Sequence, residues 1–167
     1  MPSRLLASLC VAVALAAAGC RMADGPMPMP GPEDLNRLED LRHDVGNVVA
    51  GHAEAKQDFV DDLLVFVKAD TKPEAPAAIS ELARLVAEAA TTAQLKEAAL
   101  PPLLQQMWTA VTARELSEKQ VTALQADVKT TLTGLGVAEP AAQSIANQVG
   151  TVQKAITDRQ RSWYEVF

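Results

Sequence analysis

From residue 33 onward, apolar side chains recur at intervals of three and four, the spacing that lines one face of a helix. Leu38, Leu41, Val45, Val48, Ala55, Phe59 and Phe66 form a heptad-like seam of about four repeats, enough for a helix of ~50 Å. His52 falls in that stripe and reads as a core histidine, whereas Asp62 interrupts the stripe beside Leu63. Pro32-Glu33-Asp34 suits a helix start, with proline in the first turn and two acids at the positive end of the dipole. Gly46 and Gly51 each cost ~1 kcal/mol relative to alanine and leave room for a bend.

A turn over residues 70–76 separates this seam from a second one, Ile79, Leu82, Val86, Ala89 and Ala93. Leu100-Pro101-Pro102 ends that helix and opens a third, carrying Leu104, Met107, Trp108 and Val111. Ser117 and Gln120 have the spacing of a capping box, with Leu116 and Val121 placed as its hydrophobic staple. This predicts a fresh helix start at residue 117, although one continuous helix over 101–134 keeps the same seam. Val121, Leu124, Val128 and Leu132 make its buried face, and Gly134 and Gly136 its stop. Pro140 opens the last helix, where Ala142, Ile145, Val149, Val152, Ile156, Trp163 and Val166 repeat the spacing. Arg159 lies in that seam, where its stem can pack along the stripe while the guanidinium reaches water. No segment alternates as a strand would. The pattern is all-α: a bundle of four or five amphipathic helices with short connections and antiparallel neighbours, over residues 33–167.

The N-terminal part reads differently. Arg4 precedes an unbroken apolar and small-residue run, Leu5–Ala18. At ~1.5 Å per residue this run spans ~21 Å, short of a ~30 Å hydrocarbon core. A basic start, a short apolar run and small residues behind it make a secretory signal peptide over residues 1–19. The junction Ala17-Ala18-Gly19-Cys20 resembles the lipobox of bacterial lipoproteins. That resemblance implies cleavage after Gly19 and diacylglyceryl modification of Cys20. The family more often has leucine three residues before the cysteine, where this chain has Ala17. Arg21 rather than an acid follows Cys20, which in the enteric sorting pattern implies an outer-membrane protein facing the periplasm. The implied partner is therefore the lipid bilayer, reached through acylated Cys20.

Residues 20–32 then form a proline-rich tether, with prolines at 26, 28, 30 and 32. Such a segment favours polyproline II at ~3.1 Å per residue and would hold the body a few tens of Å off the membrane. Met22, Met27 and Met29 bring three thioethers into it, a soft donor set that suits Cu(I). Copper binding is one expectation there, incidental methionines in a tether the other, and the chain implies no cofactor.

Composition supports these readings. The chain has 30 Ala and 19 Leu but three Phe, two Trp and one Tyr, a helix-forming rather than strand-forming supply. Its formal net charge of −6 argues against a nucleic-acid partner held by a basic surface. Cys10 would leave with the signal and Cys20 would be consumed by lipid, so thiol catalysis and disulfides are both excluded.

Little else carries chemistry. His43 and His52 are nine residues apart, half a turn out of phase on a straight helix, so they cannot share a metal there. His43 sits with Glu39, Asp40 and Asp44 on what reads as a solvated face. Glu54, Asp58, Asp61 and Asp62 would share another, and nothing in the pattern points to a pocket around them. Ser144 and Ser162 have no neighbouring histidine. Trp163, Tyr164 and Phe167 gather at the C-terminal end, where they pin the last helix to the bundle or dock a partner. Leu116-Ser117-Glu118-Lys119-Gln120 is similar, over five residues, to the LTxxQ motif of small helical periplasmic stress proteins. The expectation is a non-enzymatic scaffold or interaction module that binds a partner or itself through helical seams, with a periplasmic chaperone as the alternative.

Overall fold

The computed structural model describes residues 26–67 and 71–164, with side chains up to residue 157. The signal segment, Gly19, Cys20, Met22 and Phe167 lie outside the described residues, as do the side chains of Arg159, Ser162, Trp163 and Tyr164. Among the described residues there are six α-helices, a single 3-10 turn at Glu97–Ala99 and no strand. The helices are α1 Pro32–Ala50, α2 Ala55–Leu64, α3 Glu74–Ala93, α4 Pro101–Thr112, α5 Glu118–Gly134 and α6 Glu139–Tyr164.

Six helices rather than four or five arise from two breaks. At the first, Gly51 adopts φ 83°, a left-handed conformation that alanine or any branched residue would resist. Its N–H and that of His52 bond back to Val48 O and Asn47 O, so α1 ends there instead of running on for ~50 Å. The chain reverses through residues 51–54, and Ala55, Phe59 and Leu63 of α2 bury themselves against α1. His52 is consequently an exposed turn residue and not a core histidine, because the left-handed glycine destroys the helical register that would place it in the seam.

The second break falls between α4 and α5. Ala113 turns extended, and Ser117 starts a new helix as its N-cap. Ser117 Oγ accepts from the Gln120 N–H at 3.3 Å, while Gln120 Oε1 accepts from the Ser117 N–H at 2.9 Å. Leu116 and Val121 are both half-buried, as a staple requires. At the end of α5, Gly136 takes φ 89° and the Val137 N–H returns to Leu132 O, closing the helix.

α1, α2 and α3 pack on one another, and so do α4, α5 and α6. The two groups join mainly along α3 and α6, with α4 meeting α1. Leu41 and Val45 of α1, Ile79, Leu82 and Val86 of α3, and Ala142, Ile145, Val149, Val152 and Ile156 of α6 are all essentially inaccessible. Among the described side chains, the α1 seam and the α6 seam as far as Ile156 are therefore covered within the same chain. α4 has no charged residue and buries Leu103, Leu104, Met107, Trp108, Ala110 and Val111 where it meets α1, α5 and α6. Each such leucine or methionine contributes ~1.5–3 kcal/mol relative to exposure.

Glutamine side chains lock the helices in register. Gln148 Nε2 donates to Ala78 O on α3 at 2.8 Å, and Gln125 Nε2 donates to Ala146 O at 2.9 Å. Gln125 reaches that carbonyl because residue 150 is glycine, where a Cβ would stand 2.5 Å from its Nε2. Gln153, only 2% exposed, donates to Ala110 O at 2.7 Å and Ala113 O at 3.0 Å. It thereby satisfies carbonyls left free where α4 stops.

Candidate functional site

The candidate site is the groove between α1 and α2. The reversal at Gly51 sets the two helices side by side, and each contributes carboxylates one turn apart: Asp40 and Asp44 from α1, Asp58 and Asp62 from α2. Spacing along α1 places Asp44 on a solvated face, but in the fold it is half-buried. Its Oδ2 is shut off from solvent with no donor in reach. The Asp62 carboxyl of α2 faces Asp44 as a second acid, and its charge and hydrogen bonding both favour a proton on Asp44. Burial, then the charge and hydrogen bond of Asp62, then the charges of Asp58 and Asp40, push the Asp44 carboxyl up to about 6 from an ordinary value of 3.8. Asp58 and Asp61 remain water-facing, as their spacing implies, whereas Asp62 turns inward.

Beside this cluster, at the turn end of the hairpin, lies a cleft of about 360 Å³ open to solvent and lined by Asn47, His52, Ala53, Glu54, Ala55 and Asp58. The helical pattern points to no pocket here, because the cleft exists only where the chain reverses. His52 lines it together with two carboxylates, an arrangement that suits a polar or cationic group. His43 is elsewhere: its ring lies 3.6 Å from Glu39 on α1 and 3.6 Å from Glu97 on the 3-10 turn. Glu97 in turn lies against Gly46, where a Cβ would collide with its carboxylate. The two histidines thus occupy separate surroundings. Among the described residues no group of three or more His, Cys, Asp or Glu is arranged to hold a metal ion.

Of the three tether methionines, two are described, and their surroundings differ. Met27 is half-buried against the hydrophobic core, while Met29 is 74% exposed and its sulfur accepts from Gln105 Nε2 of α4 at 3.5 Å. Residues 26–31 have no helical or strand structure, as their prolines dictate, but they lie against the body instead of extending away from it. The C-terminal aromatics fall outside the described side chains. The Asp44–Asp62 contact has no signal in the sequence, since the partners are 18 positions apart on different helices. Comparison with protein-family models, curated proteins and solved structures finds no significant match.

Proposed function

We propose that the chain is a lipoprotein of the bacterial cell envelope, anchored by acylated Cys20, most simply in the outer membrane facing the periplasm. Its helical body is a non-enzymatic interaction module. The observation that carries this reading is Ala17-Ala18-Gly19-Cys20 at the end of the apolar run that begins at Leu5. No helix among the described residues is long and apolar enough to cross a membrane, so in this reading attachment falls to the acyl chains. Each buried methylene adds ~0.8 kcal/mol, and two or more chains give stable anchoring where one is marginal.

The mode of interaction is sharpened by the burial of the seams. Coiled-coil pairing through α1 or α6 would require unpacking Val45, Val149 and Val152, all fully buried. Docking is better served by exposed surface, and the acidic α1–α2 groove is the part of that surface with the most distinctive chemistry. Replacing Cys20 by serine tests the reading directly. Lipid labelling should disappear and the protein should leave the membrane fraction. A Cys20→Ser chain that still labels, or a wild-type chain that never does, would sink it.

A further inference from the structure

Among the described residues, three large apolar side chains are conspicuously exposed: Met29 at 74%, Leu35 at 55% and Val65 at 55%. Single exposed apolar residues are ordinary, but these three all lie toward the same end of the α1–α2 hairpin. Leu35 lies in the first turn of α1, and Met29 is three residues before that helix begins. Val65 closes α2, which runs back along α1 so that the Arg37 guanidinium lies 5.9 Å from the centre of the Phe66 ring. The end of α2 therefore stands beside the first turns of α1, and the Gly51 reversal lies at the far end of the hairpin.

The chain enters the body at this same end. Met27 is packed on the core and Met29 is held against Gln105, so residues 27–31 are part of the body and not free spacer. Only the stretch from Cys20 to Met27 is left to bridge to an acylated cysteine, at most ~25 Å when fully extended. The end of the body at Met27 is thereby kept within that distance of the acyl chains.

We propose that the end of the bundle bearing Met29, Leu35 and Val65 is a lipid-facing surface, resting on the bilayer that holds the Cys20 acyl chains. The proposal rests on the lipoprotein reading of Cys20. Apolar contact would carry it, because Glu33 and Asp34 outweigh Arg37 and leave this end no net positive charge to attract anionic lipid. Asp34 is partly used in capping, its Oδ2 accepting from the Gly31 N–H at 3.2 Å. The turn end of the hairpin, with the cleft lined by Asn47, His52 and Glu54, would then face away from the membrane and be free to meet a partner.

The test uses the acylated full-length mature protein in vesicles of phosphatidylethanolamine and phosphatidylglycerol that carry nitroxide-labelled lipid. Because the Cys20 thiol is consumed by lipid, a cysteine introduced elsewhere is the only free thiol. Met29→Cys, Leu35→Cys and Val65→Cys, all at exposed positions, are each labelled with a fluorophore, alongside Ala53→Cys at the turn end as control. Fluorescence at 29, 35 and 65 should be quenched by the lipid nitroxide several-fold more than at 53. Equal, weak quenching at all four sites on an acylated, vesicle-bound protein would overturn the proposal and leave the Cys20 reading intact. Shielding at 29, 35 and 65 that follows protein concentration and not nitroxide would also overturn it, assigning the surface to a second copy. A chain whose mass shows no acyl group would overturn both.

Discussion

Replacing Asp44 with asparagine should stabilise the protein at neutral pH. The folded protein holds the Asp44 carboxyl at about 6, against an ordinary 3.8, because it is partly buried and faces Asp62, Asp58 and Asp40. A shift of about two units corresponds to ~3 kcal/mol of unfavourable ionisation. Asp44 is still in part solvent-exposed, and screening brings the figure down to ~1 kcal/mol. The sign follows from proton uptake: between about 4 and 6 the folded state binds a proton that the unfolded chain does not. This group's contribution is thus fully present below 3.8 and is lost as pH rises through about 6.

Charged groups on neighbouring elements leave that window in place. α4 carries none, α3 sets Glu81, Arg84 and Glu88 against one another, and Glu97 of the 3-10 turn lies by His43. The asparagine side chain would be neutral throughout and could donate its amide to Asp62. Thermal unfolding followed by circular dichroism at pH 7 should show the Asp44→Asn variant ~2–4 °C above wild type. The gap should narrow at pH 4.5 and close below about 3.8. If the variant is no more stable at pH 7, or if the wild-type-minus-variant difference is flat between pH 4.5 and 7, the account of Asp44 as a carboxyl crowded by burial and by Asp62 is wrong.

Other perturbations probe the packing and the caps. Gln153→Leu leaves the Ala110 and Ala113 carbonyls without their donor and should cost ~2–3 kcal/mol in urea unfolding at unchanged slope. Gly150→Ala pushes a methyl toward the Gln125 amide, so it should cost ~1 kcal/mol by displacing the Gln125–Ala146 hydrogen bond. In a Gln125→Ala background the same change should be neutral or stabilising, and a cycle without coupling would refute that explanation. Ser117→Ala removes the α5 N-cap acceptor and should cost ~1 kcal/mol, with hydrogen exchange rising first at the amides of residues 118–120.

Much of the architecture is legible in the sequence because helix periodicity and caps act within four residues along the chain. The apolar positions of α3, α5 and α6 can be read one after another, and so can the start at Ser117, where Gln120 reaches back three positions. The first helix departs from its pattern at one point. A helical period extrapolated through Gly51 puts His52 in the core, yet one residue at φ 83° ends the helix and turns His52 out to solvent. Phe59 and Leu63 stay buried all the same, because α2 folds back and offers its own apolar face to α1.

Neighbouring residues alone thus specify the helical class and most helix faces. Tertiary structure alone decided which polar groups matter. Gln153 meets Ala110, and Asp44 meets Asp62, across gaps of 43 and 18 positions, and no local pattern distinguishes those side chains from solvated ones. The same holds for Met27, which composition assigns to a free tether and which the structure packs on the core. The physical reason is common to all three. Periodicity specifies which way a side chain faces on its own helix, whereas burial and partnership depend on what the neighbouring helices place opposite it.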